Sequence, residues 1–218
     1  MKERPVIFNG EMVRAILDGR KTQTRRIMKV QPEPSKTRAG DFWFSSKKLE
    51  SMVHVSDFMP GNSPIADCHL FFQEHCCPFG PVGERLWVRE TFMDLTGTGI
   101  EATTGKFEGF AYRADTPAGS YGDEVRKEYG LKWTPSLHMP RKACRILLEI
   151  TAVRVERLND ISHDDAKAEG CCYGRGGGVP DFAVTPADHF PTLWASIYGE
   201  ESWRANPWVW VISFRRVK

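Results

Sequence analysis

The residues of this chain best suited to chemistry lie together in the segment Gly19–Arg26, which reads GRKTQTRR. It holds one lysine, three arginines and two threonines, and it contains no acidic residue. Guanidinium and ammonium groups bind phosphates and carboxylates, and a hydroxyl beside a base can act as a nucleophile. The segment therefore predicts an anion-binding or catalytic site around Lys21 and Thr24. The alternative is a solvated basic loop, because charged residues lie mostly on protein surfaces.

Short elements on either side of this segment must position it. Residues 5–8 read as a strand, and Asn9 is suited to cap a helix whose apolar residues recur at helical spacing up to Leu17. Gly19 is expected to end that helix, and residues 21–28 continue as a strand. Side chains three apart on a strand point to opposite faces. A bulge or turn at residues 21–22 is therefore needed to bring Lys21 and Thr24 together.

The rest of the pattern favours strands over helices. Strands are predicted over residues 85–90, 146–158 and 208–217 and near 110–113, short helices at Ser162 and Thr185, and a Gly-rich loop over 171–182. The irregular residues 31–82 and 95–135 are predicted as two long insertions. This pattern predicts the α+β class, as a small, mostly antiparallel barrel or sheet with short helices at its rim.

Composition describes a globular chain with little net charge. It has 218 residues, of which 41% are hydrophobic, so it can form a sizeable hydrophobic core. Its formal net charge of +2 identifies no binding partner. The N-terminal residues MKERPVIFNG lack the apolar core of a signal peptide. No apolar run has the length of a membrane span. We therefore expect a cytoplasmic protein without a membrane partner; its oligomeric state stays open.

Four motifs in order resemble one protein family. They are ILDGRKTQTRR after the first helix, GERLWVRE, ISHDDAKAEG after the central strand, and NPWVWVISFRRV near the C-terminus. The chain is similar to the ASCH domain (activating signal cointegrator homology), especially to the larger prophage-encoded proteins of that family. The resemblance implies a single ASCH domain over residues 1–218 with a PUA-like fold, a small β-barrel with rim helices. The two insertions lie outside the minimal domain.

The resemblance implies a role with RNA or a modified nucleoside, and no cofactor. Small bacterial ASCH proteins include amidohydrolases that remove the acetyl group from N4-acetylcytidine with a lysine, a threonine and a glutamate. The G-R-K-T-x-T element maps the first two to Lys21 and Thr24, and an A-x-x-E pattern maps the glutamate to Glu169. Thr24 would then be the nucleophile, Lys21 its base, and Glu169 the acid that orients the lysine.

The protonation state of Lys21 is decisive for this assignment. Lys21 is a base near neutral pH only if burial or nearby cations lower its pKa, whereas Glu169 beside it would raise that pKa. We predict that Arg20, Arg25 and Arg26 hold the substrate. Three alternatives remain: a non-catalytic RNA-binding module, a ribonuclease in which Lys21 stabilises the transition state, or a purely structural ion pair between Lys21 and Glu169.

Further candidates lie outside the basic segment. Trp133, in the proline-bounded loop WTPSLHMP, is predicted to stack on a base. Ser136 and His138 in that loop are candidates for hydrogen bonds to a base or phosphate. The alternative for His138 is an ordinary loop histidine.

The cysteines raise one more alternative. Without a secretion signal, the six cysteines favour free thiols or a metal site over disulfides. Candidate zinc ligands, with Cys171 and Cys172 as possible partners in space, are Cys68, His69, His75, Cys76 and Cys77. A paired C-x-x-C spacing is lacking, so we favour reduced cysteines and predict no metal.

Overall fold

A computed structural model describes residues 2–62, 65, 67–98, 109–171, 174–176, 179–181 and 184–218. Its strands are β1 (Glu3–Ile7), β2 (Gln23–Ile27), β3 (Glu33–Pro34), β4 (Phe42–Ser46), β5 (Ser51–His54), β6 (Arg85–Arg89), β7 (Phe92–Asp94), β8 (Phe110–Tyr112), β9 (Leu147–Arg157), β10 (Gly174–Gly176), β11 (Val179–Asp181) and β12 (Trp208–Arg216). Its helices are α1 (Gly10–Leu17), α2 (Cys68–Cys76), α3 (Tyr121–Glu128), α4 (His163–Ala168), α5 (Pro186–Tyr198) and α6 (Glu200–Arg204). This content agrees with the predicted α+β class. No helix among the described residues has the length and apolarity to cross a membrane.

A five-stranded mixed sheet in the order β1–β6–β9–β12–β2 positions the basic segment. β1 and β6 are parallel, and the other three pairings are antiparallel. Successive side chains of β12 point to opposite sides of the sheet, and both sides are covered by a hydrophobic core. Trp210 and Ile212 join one core with α1, whereas Val209 and Val211 join a second core with α4 and α5.

The sheet is open among the described residues, which differs from the predicted barrel. Its edge strands β1 and β2 share no backbone ladder there. Instead, Nη2 of Arg26 on β2 donates a hydrogen bond to the carbonyl of Ile7 at the end of β1, at 2.7 Å. A barrel closes through backbone hydrogen bonds between its first and last strands. Here one long side chain bridges the two edges.

The predicted insertions contain regular elements. Residues 31–82 include the three-stranded sheet β3–β4–β5 and helix α2, and residues 95–135 include β8, which pairs with β7, and helix α3. Phe44 and Phe58 of the first insertion pack edge-on against Trp210 of the central sheet. β8 agrees with the strand predicted near residues 110–113. The other elements are too short to show clear periodicity, so the sequence pattern did not identify them.

Candidate functional site

The turn between α1 and β2 carries Lys21 to the end of α4. Gly19 ends α1 with a φ of 73°, a conformation that glycine adopts without steric cost. The N–H groups of Arg20 and Lys21 both donate to the carbonyl of Ala15, at 2.8 and 2.9 Å. β2 begins at Gln23 rather than at the predicted residue 21. Lys21 therefore lies before the strand, and the alternation of side chains along β2 does not set the direction of its side chain.

Helix α4 is held against the same turn. Ser162 caps α4 by accepting a hydrogen bond from the N–H of Asp165 at 3.1 Å, and the N–H of Thr22 donates to the carbonyl of Ala168 at 2.8 Å. Gly170 follows with a φ of 93°, and a Cβ there would lie only 3.3 Å from that of Lys21. Glycine thus allows α4 to approach Lys21 closely.

Lys21 and Glu169 form a buried ion pair at this junction. Nζ of Lys21 lies 2.6 Å from Oε2 of Glu169 and 2.9 Å from its backbone oxygen. The two residues are only 2% and 4% exposed. The structure thus brings together the lysine and the distant glutamate that the sequence motifs selected.

Burial decides the direction of the Lys21 pKa. Desolvation lowers the pKa of the Lys21 ammonium, and it outweighs the charge and hydrogen bond of Glu169, which raise that pKa. The positive charge of Arg26 also lowers it. The conflict left open by the sequence is therefore resolved in favour of a lysine that loses its proton more easily than usual.

Arg25 is enclosed by carboxylates. Its side chain is fully buried; Nη1 lies 3.3 Å from Oε1 of Glu169, and Nη2 lies 3.1 Å from Oδ2 of Asp165 and also contacts Glu156. Arg25 pairs with Val211 in the sheet register, so its side chain faces the second core, where α4 packs. The substrate-holding role predicted for Arg25 conflicts with this arrangement, because both of its terminal nitrogens already serve protein carboxylates. Its buried Nε has no hydrogen-bond partner among the described residues.

Arg154 on β9 completes this ion network. It donates from Nε to Glu156 and from Nη2 to Asp165, both at 2.8 Å. Burial raises the pKa of Asp165, but the cations Arg154 and Arg25 outweigh burial and leave that pKa lowered. The network contains three cations, Lys21, Arg25 and Arg154, and three carboxylates, Glu156, Asp165 and Glu169. Its formal net charge is therefore zero.

Thr24 lies on the wall of a pocket of about 180 Å³ next to this network. Arg25, Arg26 and Glu169 line the same pocket, whereas Lys21 lies behind Glu169 and does not line it. No hydrogen bond joins Lys21 to Thr24 within the described part of the chain. Thr24 thus meets the ion pair only through the shared pocket wall.

The aromatic wall of this pocket comes from α5. Phe190, Trp194 and Tyr198 follow one another at intervals of four residues, so they share one face of the helix. The ring centroids of Trp194 and Tyr198 are 4.3 Å apart. Sequence reasoning missed these residues, although their spacing was the signal that could have found them.

A second pocket, of about 470 Å³, adjoins the first. Both are lined by Met12, Glu169 and Leu193. The walls of the larger pocket are mixed, and their polar residues include His189 and Arg20, whose Nη2 pairs with Asp18 at 2.8 Å. Glu169 therefore lies where a mainly apolar pocket meets one of mixed polarity.

Trp133, Ser136 and His138 lie elsewhere. Trp133 is flanked by Arg113 and Arg126, whose guanidinium carbons lie 5.6 and 5.9 Å from its ring centroid. Ser136 and His138 form a single 3-10 turn. None of the three lines a pocket beside Glu169, where the aromatic side chains come from α5 instead.

The candidate zinc ligands do not converge. Four lie on α2, and within the described residues no group of three or more His, Cys, Asp or Glu side chains is arranged to hold a metal ion. Nδ1 of His75 lies 2.9 Å from the carbonyl of Phe71. Burial raises the pKa of the Cys77 thiol to about 12, and Cys68 and Cys76 are free. Cys172 lies outside the described residues.

Comparisons of the chain with protein-family models, with curated proteins and with solved structures found no match. What the structure defines is therefore an α+β protein with a buried lysine–glutamate pair beside a small, aromatic-walled pocket.

Proposed function

We propose that the protein is an ASCH-type amidohydrolase that removes an acyl group from an N4-acylcytidine-like nucleoside. The observation that carries this proposal is the buried pair of Lys21 and Glu169, 2.6 Å apart, beside Thr24 at the pocket wall. Amide hydrolysis requires a nucleophile, a proton acceptor and a donor to the oxyanion. Thr24, the Lys21–Glu169 pair and Arg26 are candidates for these three roles.

In this mechanism Oγ1 of Thr24 attacks the amide carbonyl carbon. Its proton passes to Lys21 by way of Glu169, which lies between the lysine and the pocket. The C–N bond then breaks, the leaving amine takes a proton from the pair, and water hydrolyses the acyl-threonine to release the carboxylic acid. The lowered pKa of Lys21 supports this route, because a neutral amine must be accessible.

Arg26 is suited to stabilise the oxyanion. It lines the pocket, and its Nε is buried with no hydrogen-bond partner among the described residues. A buried donor without a partner is costly, and a developing negative charge in the pocket would satisfy it.

The pocket favours a neutral, planar substrate over a phosphate. Aromatic side chains stack on heterocyclic bases, and α5 presents three of them. The formal charge of the ion network cancels, so a phosphate would have to displace carboxylates from Lys21 and Arg25. This disfavours the two alternatives, RNA binding or ribonuclease action through these cations.

The test is to incubate the protein with N4-acetylcytidine and to measure cytidine release. Lys21→Met should reduce kcat by at least about 10²-fold, because it removes the proton acceptor. Lys167→Met is the control, since Lys167 lies on the neighbouring helix α4 and is half exposed. Absence of cytidine with wild-type protein would reject the proposal. Shortening of a labelled RNA, or salt-dependent RNA binding weakened by Lys21→Met, would support the alternatives.

We also infer that the sheet is a variant of the PUA-like barrel. The support is the bridge from Arg26 to Ile7, which brings the two edge strands β1 and β2 within one side-chain length of each other. An experimental structure in which β1 and β2 lie on well-separated edges would contradict this inference.

A further inference from the structure

We propose that Arg25 is a positioning residue, which holds the carboxylate of Glu169 in the orientation that contacts Lys21 and faces the pocket. This inference rests on the proposed hydrolysis, and it assigns Arg25 to the geometry of the site rather than to substrate binding.

The two oxygens of Glu169 are held by two different cations. Oε1 lies 3.3 Å from Nη1 of Arg25, and Oε2 lies 2.6 Å from Nζ of Lys21. Rotation of the carboxylate about its axis would break or exchange both contacts. Because charge-assisted hydrogen bonds are among the stronger ones in proteins, this arrangement restricts Glu169 to one orientation at the junction of the two pockets.

Arg25 can act in this way because its own position is determined. Nη2 contacts Asp165 and Glu156, and both of these carboxylates are also bound by Arg154. The guanidinium carbon lies 5.8 Å from the ring centroid of Phe190 on α5. Arg25 therefore links β2, β9, α4 and α5, and Glu169 is positioned relative to all four.

This task suits arginine and not lysine. A guanidinium presents several donors in a rigid plane, whereas an ammonium is a point charge on a flexible stem. Arg25→Lys keeps the charge but loses the simultaneous contacts with three carboxylates. A displacement of about 1 Å at a catalytic group can reduce a rate by about 10²-fold. We therefore expect Arg25→Lys to lower kcat by about 10- to 100-fold while KM for N4-acetylcytidine stays within about twofold.

The experiment compares steady-state kinetics on N4-acetylcytidine for wild type, Arg25→Lys, Asp165→Asn and Arg215→Lys, with each rate divided by the folded fraction from circular dichroism. Arg215→Lys is the matched control, an exposed arginine on β12 that pairs with Glu149, and it should keep wild-type values. Asp165→Asn removes one partner of Arg25 without touching Glu169, and it should lower kcat by a smaller factor. It provides the test if Arg25→Lys does not fold.

The results separate this inference from the proposed function. Loss of kcat at constant KM in folded Arg25→Lys supports positioning, and wild-type kcat in that variant overturns it, while hydrolysis itself stands. If Arg25→Lys does not fold, the kcat of Asp165→Asn decides in the same way. A raised KM with unchanged kcat in Arg25→Lys also overturns it and assigns Arg25 to substrate binding. Failure of the wild-type protein to release cytidine rejects the proposed function instead.

Discussion

At the scale of single residues, the site depends on two charged groups that burial has placed in contact. Lys21 would be an ordinary surface cation if it were solvated, but the interior disfavours its charge. Glu169 offsets part of this cost by direct contact at 2.6 Å. Gly170 is the third member of the arrangement, because its lack of a side chain lets Lys21 and α1 approach α4.

The lowered pKa of Lys21 predicts a pH dependence of stability. The unfolded lysine titrates near its ordinary value of 10.5, and the folded one below it. Between these two values the unfolded state binds more protons, so the free energy of unfolding rises with pH. Below the folded pKa the contribution of Lys21 is lost. Wild type should therefore gain stability relative to Lys21→Met as pH increases towards 10.5.

The measurement is the free energy of unfolding in urea for both proteins at several pH values between 7 and 10.5. Subtracting the free energy of unfolding of Lys21→Met from that of wild type cancels the contributions of groups that titrate equally in both proteins, such as the buried thiols. A difference that stays flat or falls with increasing pH would show that the pKa of Lys21 is not lowered.

Gly170 gives a second prediction at this scale. Gly170→Ala should destabilise the protein by about 1–3 kcal/mol, because it strains a residue with φ of 93° and presses a methyl group against Ala15 and Lys21. Gly119→Ala is the control, since Gly119 also has positive φ but has no atom within 4 Å of its Cβ position. Urea unfolding should give a larger loss for Gly170→Ala. Equal losses would show that the close approach is unimportant.

At the scale of elements, α5 supplies the aromatic wall of the pocket. Thr185 caps this helix and forms a reciprocal capping box with Asp188, which fixes where the helix begins. Phe190 and Trp194 then pack into the second core, and the ring of Tyr198 contacts that of Trp194 at the pocket in a tilted arrangement. The same aromatic side chains of α5 thus pack against the core and line the pocket.

This arrangement predicts the effect of removing the last ring. Tyr198→Ala should raise KM for N4-acetylcytidine by about 10-fold with little change in kcat, because stacking on a base contributes about 1–3 kcal/mol. Tyr129→Ala is the control, since Tyr129 is exposed at the end of α3 and lines neither pocket beside Glu169. An unchanged KM in Tyr198→Ala would remove α5 from substrate recognition.

At the scale of the whole molecule, the central strands carry two cores on their opposite faces. Ile150 of β9 and Ile212 of β12 have no exposed surface, and each strand is hydrogen-bonded on both sides within the sheet. The three-stranded sheet β3–β4–β5 lies outside this centre. Phe44 of β4, and Phe58 in the turn that follows β5, contact the central sheet at Trp210.

Hydrogen exchange should reflect this difference. Amide hydrogens in the middle of β9 and β12 should exchange most slowly, because they open only with the global unfolding of the sheet. Those of β3 and β5, at the edges of the smaller sheet, should exchange faster. Mass spectrometry of peptides from these strands provides the measurement, and equal protection would contradict the assignment of β9 and β12 as the stable centre.

The local features of the site follow from the sequence alone. Asn9 and Gly19 delimit α1 because capping and positive φ depend on individual residue types, and the alternation in residues 146–158 and 208–217 marks the central strands β9 and β12. The motifs that resemble those of the ASCH family selected Lys21 and Glu169 as partners. In contrast, the elements inside residues 31–82 and the helix α3 were missed because they are short, whereas β8 was identified near residues 110–113.

Only the tertiary structure decided how these residues interact. Sequence proximity suggested that Arg25 binds substrate, but β9 and α4 surround it with carboxylates that are far away in the chain. Likewise, the sign of the pKa shift of Lys21 depends on burial, and the aromatic wall depends on the packing of α5 against β2. Residue type and spacing determine local conformation and candidate chemistry. The charge state and the exposure of a side chain depend on which distant segments pack around it and exclude water from it.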